Sequence, residues 1–104
     1  MYISFINDKI RKICEDNKLA QRKLGDRCAK LLFQRIAEIR ASDSLSTLRL
    51  LPGPRCHSLS NNRNGQYAVD LEHPRRLVIL PIFDGELIEK RVTDVVIIEI
   101  IDYH

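Results

Sequence analysis

The sequence predicts an α+β fold, a small and mainly antiparallel sheet with an N-terminal helix hairpin packed on one face. Three observations carry this. After a short β-prone opening, apolar residues recur at helical spacing. Pro52-Gly53-Pro54 ends that pattern, and from Cys56 onward short alternating or apolar runs are separated by Asn, Gly and Pro turns. With 104 residues, 30% charged and 44% hydrophobic, residues 1–104 read as a single domain large enough to bury a core without staples.

Tyr2-Ile3-Ser4-Phe5-Ile6 reads as an edge or opening strand. Asn7 or Asp8 can cap a helix running to about Asn17, with Ile10, Ile13 and Cys14 on one face. A longer helix is predicted from about Ala20 to Ala41. Its stripe is Leu24, Cys28, Leu31, Leu32, Ile36 and Ile39, while Arg22, Lys23, Arg27, Lys30 and Arg40 fall mainly off it. Gly25 inside that pattern costs about 1 kcal/mol against Ala. Ser42-Asp43-Ser44 caps a short helical turn carrying Leu45 and Leu48, and the prolines stop it because they lack the N–H a helix needs.

The second part is β. Cys56 to Leu59 forms a short strand, and Asn61 to Gly65 has the composition of a hairpin turn. Gln66 to Glu72 alternates, with Tyr67, Val69 and Leu71 on one face and Gln66, Ala68, Asp70 and Glu72 on the other. His73-Pro74 marks a turn before a strand from Arg75 to about Ile82, and Asp84-Gly85 marks another. The last strand, about Thr93 to Asp102, is apolar on both faces, which suits a central position. The helix stripe covers one sheet face and leaves the other for ligand.

Charge and cysteine usage narrow the function classes. Residues 1–64 hold 13 Lys/Arg against 6 Asp/Glu, a balance of +7; residues 65–104 hold 4 against 8, a balance of −4. A basic half suits contact with a polyanion, although a solvated helix face has the same signature. The longest nearly unbroken apolar run, Val95 to Ile101, is far short of the ~20 residues of a membrane span, and no secretory signal is evident. Three cysteines without C-x-x-C spacing fit free thiols in the cytoplasm rather than a disulfide framework or a zinc site, so neither metal nor cofactor is expected. Trp is absent and aromatics are 6%, which disfavours a broad base-stacking surface.

No phosphate loop, nucleophile elbow or metal motif is present. The groups with chemical capacity are His57, Arg63, Arg75, Arg76 and the pair Tyr103-His104. Histidine exchanges a proton near neutral pH, and arginine offers a fixed cationic fork for phosphate. Each has a plainer reading, as a strand histidine, a frayed end or a solvated strand edge. Cys56 and His57 are strand neighbours and point to opposite faces, which argues against a thiolate–imidazole pair.

The stretch Pro52-Gly53-Pro54-Arg55-Cys56-His57 through Asn61-Asn62-Arg63-Asn64-Gly65-Gln66-Tyr67 to Asp70-Leu71, followed by His73-Pro74-Arg75-Arg76-Leu77 and the ending Ile98-Glu99-Ile100-Ile101-Asp102-Tyr103-His104, resembles HigB-type plasmid-maintenance killer toxins of the RelE/ParE superfamily. The resemblance implies a RelE-like fold. It also implies a type II toxin that cleaves mRNA at the ribosome and is held by a helix-turn-helix, HigA-type antitoxin, with DNA met only through that complex. By this resemblance His57, Arg63, Arg76, Tyr103 and His104 are catalytic. Arg55, Asn64, Arg75, Arg22 and Lys23 are RNA-binding, with the helix-pair cations on ribosomal RNA. Three departures stand out: Asn61 where glycine is common, Asn64 where a lysine often follows the arginine, and Arg75 where an aromatic is usual. Loss of the lysine removes one cation from the site. The alternative is a ParE-like toxin that inhibits DNA gyrase and needs no acid/base pair. A third is an RNA-binding or inactive remnant.

Overall fold

The computed structural model describes residues 1–102. Strand β1 (Tyr2–Phe5) leads into Asn7, whose side-chain oxygen accepts from the Ile10 N–H at 2.9 Å and so satisfies one open donor of helix α1 (Asp8–Glu15). Asp16 then serves two helices. Its N–H closes α1 on the Lys12 carbonyl, and its carboxylate accepts from Leu19 N–H to start α2 (Asn17–Leu24).

The single helix expected from Ala20 to Ala41 is in fact broken. Gly25, at φ 85° and ψ 162°, ends α2, and α3 (Asp26–Ala41) begins immediately after it. That backbone region is open essentially to glycine alone. Gly25 is therefore the reason for the break rather than a tolerated helix residue. An added Cβ would meet nothing within 4 Å, so the cost of substitution is conformational. Gly25→Ala is expected to destabilise the protein by about 1–3 kcal/mol in denaturant titration. A continuous helix would instead gain about 1 kcal/mol from the same change.

Ser44 caps α4 (Leu45–Leu50) by accepting from the Thr47 N–H at 3.3 Å. The remaining strands are β2 (His57–Ser58), β3 (Tyr67–Asp70), β4 (Arg75–Ile82) and β5 (Asp94–Asp102), with a 3-10 turn at Asn61–Arg63 in the β2–β3 hairpin. The sheet order is β1-β5-β4-β3-β2. β1 runs parallel to β5 and every other pairing is antiparallel, so the sheet is mixed but mainly antiparallel. Among the described residues no helix is long and apolar enough to cross a membrane.

The core lies between the helices and one sheet face. Cys28, Leu32, Ile36 and Ile39 of α3 join Tyr67, Val69, Leu77, Ile79, Val95 and Ile97 of the strands in one buried cluster. The alternation of Tyr67, Val69 and Leu71 toward this cluster is as the sequence predicts. Each buried Leu or Ile contributes about 1.5–3 kcal/mol, and this is what holds the four helices to the sheet. Ala68 and Val78 point the other way, into a smaller cluster with Leu59.

All three cysteines are free and buried. Loss of solvation pushes the Cys14 and Cys56 thiols up to about 12 from an ordinary 9.0. As pH rises above that ordinary value, the unfolded chain releases these protons while the folded chain holds them, so stability falls between about 9 and 12. A Cys14→Ala/Cys56→Ala double variant should show a shallower decline of melting temperature over that interval.

Candidate functional site

The site is assembled by strand register. His57 lies opposite Ala68, Ala68 opposite Val78, and Val78 opposite Glu99, which makes one row across four strands. The adjacent row is Asp70, Arg76 and Ile101. Since Tyr67, Val69 and Leu77 between them enter the core, both rows face away from the helices. Leu59, Ala68 and Val78, with Ile98 and Ile101 packed beside them, form an apolar floor on this open face.

Glu99 reaches the open face through a bulge. Val78 pairs with Glu99 but Ile79 pairs with Ile97, so Ile98 is an extra residue and the alternation of β5 reverses beyond it. Without the bulge Glu99 would share the face of Val95 and Ile97, inside the core. In its actual place it accepts from Arg63 Nη2 at 2.7 Å, while Arg63 Nη1 donates to Gln66 Oε1 at 2.9 Å. The hairpin arginine therefore lies over the sheet rather than out in solvent, with its side chain 28% exposed.

At the other side of the face, Arg76 Nη1 donates to His57 Nε2 at 3.1 Å, and His57 Nδ1–H donates to the Arg55 carbonyl at 2.8 Å. A guanidinium only donates and a carbonyl only accepts, so these partners assign His57 as the neutral Nδ1–H tautomer with its Nε2 lone pair toward Arg76. Arg55 adopts φ 49°, a left-handed conformation that costs an arginine about 1–2 kcal/mol. Here it turns the Arg55 carbonyl onto the imidazole.

Asp70 closes the arrangement. Its Oδ1 is 3.4 Å from Arg76 Nε and its Oδ2 is 3.5 Å from Arg55 Nε. The first pair is close enough for charge attraction but not aligned as a hydrogen bond, and Oδ1 is buried without one among the described residues. The strand end carrying Asp70 is fixed from beneath. Arg35, with a side chain only 8% exposed, donates Nε to the Asp70 carbonyl at 2.6 Å and Nη1 to Glu38 at 2.8 Å. Asp70 N–H donates to the Pro54 carbonyl at 2.8 Å, which ties β3 to the loop before His57.

No family model and no curated protein matches this chain.

Among the described residues the open face thus holds three guanidiniums (Arg55, Arg63 and Arg76), two carboxylates (Asp70 and Glu99) and one neutral imidazole, which leaves these groups with a surplus of one positive charge. An anionic group placed here would meet cations that are already oriented by carboxylates. It would also meet a ring nitrogen able to accept a proton, which is the equipment for moving a proton beside a developing negative charge.

Of the residues singled out from sequence, His57, Arg76 and Arg55 come together, and Arg63 shares their face. Asn64 is exposed just beyond the 3-10 turn, its N–H donating to the Asn61 carbonyl at 3.0 Å. Asn61 sits at φ 59°, a conformation that glycine or asparagine adopts most readily, and this accounts for asparagine at that place. Arg75, one residue from Arg76, points to the opposite face. There it donates to the Leu24 carbonyl at 2.7 Å and pairs with Asp102 at 3.3 Å. Lys23 lines a groove of about 460 Å3 with Leu24, Ile10 and Arg75 on that helix side, and Arg22 is exposed on α2. Tyr103 and His104 lie outside the described residues. Sequence reading did not single out Asp70, Glu99, Gln66 or Arg35.

Proposed function

We propose that the protein is the toxin of a type II toxin–antitoxin pair, a RelE-like endoribonuclease that cleaves mRNA on the ribosome without a metal. The observation that carries this reading is the neutral His57 held against Arg76 on an open sheet face, with Arg63 on the same face. The helix layer on one side of a mainly antiparallel sheet is the layout that the sequence resemblance implies, and the resemblance also runs through each of these residues.

In the proposed reaction His57 Nε2 takes the proton of an RNA 2′-hydroxyl. The 2′-oxygen forms a bond to the adjacent phosphorus, the bond from phosphorus to the 5′-oxygen breaks, and an acid protonates that leaving oxygen. The products are a 2′,3′-cyclic phosphate and a 5′-hydroxyl. Arg76 and Arg63 stabilise charge on the phosphoryl oxygens. The resemblance supplies Tyr103 and His104 as the remaining proton-transfer groups. Arg55 and Asn64 border the substrate path, while Arg22 and Lys23 on the helix layer hold ribosomal RNA through salt-sensitive phosphate contacts. A HigA-type antitoxin is the proposed partner in the cytoplasm.

The test is cleavage of a defined mRNA by purified protein with translating ribosomes. The expected ends are 5′-hydroxyl and 2′,3′-cyclic phosphate, and a single 2′-deoxy substitution at the cut should abolish cleavage there. Cleavage that survives the 2′-deoxy substitution, or intact mRNA alongside inhibited DNA gyrase, overturns the reading.

A further inference from the structure

In the free protein Arg76 Nη1 occupies the His57 Nε2 lone pair at 3.1 Å, the same lone pair that must accept a proton. A base nitrogen already engaged by a guanidinium is not available to a hydroxyl. The other end of that guanidinium, Nε, faces Asp70 Oδ1 at 3.4 Å. Asp70 is itself immobilised through its backbone, by Arg35 at its carbonyl and by Pro54 at its N–H. The carboxylate therefore projects from a fixed stretch of backbone and stands beside Nε.

We propose that Asp70 is a positioning residue that holds Arg76 as a cap on His57 in the free protein and as a pivot when RNA binds. This rests on the nuclease reading above. A phosphodiester oxygen carries a full share of negative charge and attracts Nη1 more strongly than a neutral imidazole does. On binding, Nη1 leaves Nε2 for the phosphate while Nε stays against Asp70. The same movement places a cation on the reacting phosphate and frees the base beside the 2′-hydroxyl. His57 keeps its Nδ1–H on the Arg55 carbonyl throughout, so the freed nitrogen is always Nε2.

The arrangement also accounts for a carboxylate in a nucleic-acid site, where it would otherwise repel substrate. One oxygen of Asp70 is buried without a hydrogen bond among the described residues, and the side chain stands between two guanidiniums. Asp70→Asn keeps the shape and both backbone hydrogen bonds but removes the charge that orients Nε.

The experiment reads the imidazole nitrogens of His57 by NMR in the free protein and with a 2′-O-methyl RNA oligonucleotide, which binds but cannot be cut. His73 serves as an internal control. In the wild type, His57 is expected as one Nδ1–H tautomer whose Nε2 resonance moves when the oligonucleotide is added. In Asp70→Asn the free protein should keep the Nδ1–H tautomer, held by the Arg55 carbonyl, but its Nε2 resonance should already be shifted away from the free wild-type position, and cleavage should lose about tenfold in kcat with KM changed less than about threefold. Arg76→Lys, which cannot span Asp70 and His57 together, should give the same Nε2 shift and covers the case in which Asp70→Asn does not fold. A wild-type Nε2 resonance in the folded, free variants overturns the proposal, as does an Nε2 resonance in the wild type indifferent to the oligonucleotide. Cleavage by the wild type is scored separately. If Nε2 responds as described but no RNA is cut, Asp70 remains the positioning residue and the nuclease reading fails.

Discussion

His57→Ala is expected to reduce ribosome-dependent mRNA cleavage by about 100- to 10,000-fold, the usual contribution of a positioned proton-transfer group. The loss should fall on kcat, because the imidazole is neutral and Arg76, Arg63 and Arg55 remain to hold phosphate. Folding should be nearly untouched. His57 sits on a strand of two residues at the sheet edge, and its side chain is outside both apolar clusters. Parallel single-turnover cleavage and thermal melting separate the two effects. A variant that melts like the wild type but cleaves at full rate would remove His57 from the chemistry.

Arg35→Ala should produce the largest change in stability. Arg35 is a buried cation whose Nη1 pairs with Glu38 and whose Nε satisfies the Asp70 carbonyl. Truncation leaves that carbonyl unpaired and the Glu38 carboxylate, 25% exposed, without its counter-ion. Breaking a buried pair by removing one partner costs about 3–5 kcal/mol; partial exposure of Glu38 puts the expected value near 3 kcal/mol. For a domain of this size that corresponds to roughly 10–20 °C in melting temperature. The guanidinium also fills space under the loop, since Nη1 lies 3.4 Å from where a Gly53 Cβ would stand. Arg35→Met with Glu38→Leu should recover part of the loss, because no charge is then left unpaired. A fall in stability for the double variant equal to that of Arg35→Ala would locate the effect in packing and the Asp70 hydrogen bond alone.

The sequence was most legible where a single local rule decides the outcome. The alternation of Tyr67, Val69 and Leu71, the cap at Asn7 and the stop at Pro52 to Pro54 each depend on a few neighbouring residues, and the strands and helix ends follow. Gly25 was legible as a glycine but not as a break, because the apolar stripe on either side keeps helical phase across it. The site was legible in its cations and its histidine, whose chemistry is rare enough to stand out. Its carboxylates were not. Glu99 has the phase of a core-facing residue until the bulge at Ile98 reverses β5, and a bulge leaves no mark in composition. Arg35 falls on the buried face of a helix otherwise rich in exposed cations, and the Glu38 carboxylate one turn on and the Asp70 carbonyl, 35 residues away, together explain its place. Arg75 and Arg76 are chemically identical neighbours, and the pleat alone sends one to the helices and the other to His57.

RNA cleavage on the open face of the sheet, as proposed above, is read from mRNA 5′ ends mapped in translating cells after brief induction of the wild type and of His57→Ala. The expected result is a set of new 5′-hydroxyl ends phased to the reading frame, present with the wild type and absent with the variant. Intact messages under wild-type induction, with growth arrest accompanied by DNA damage, would contradict it.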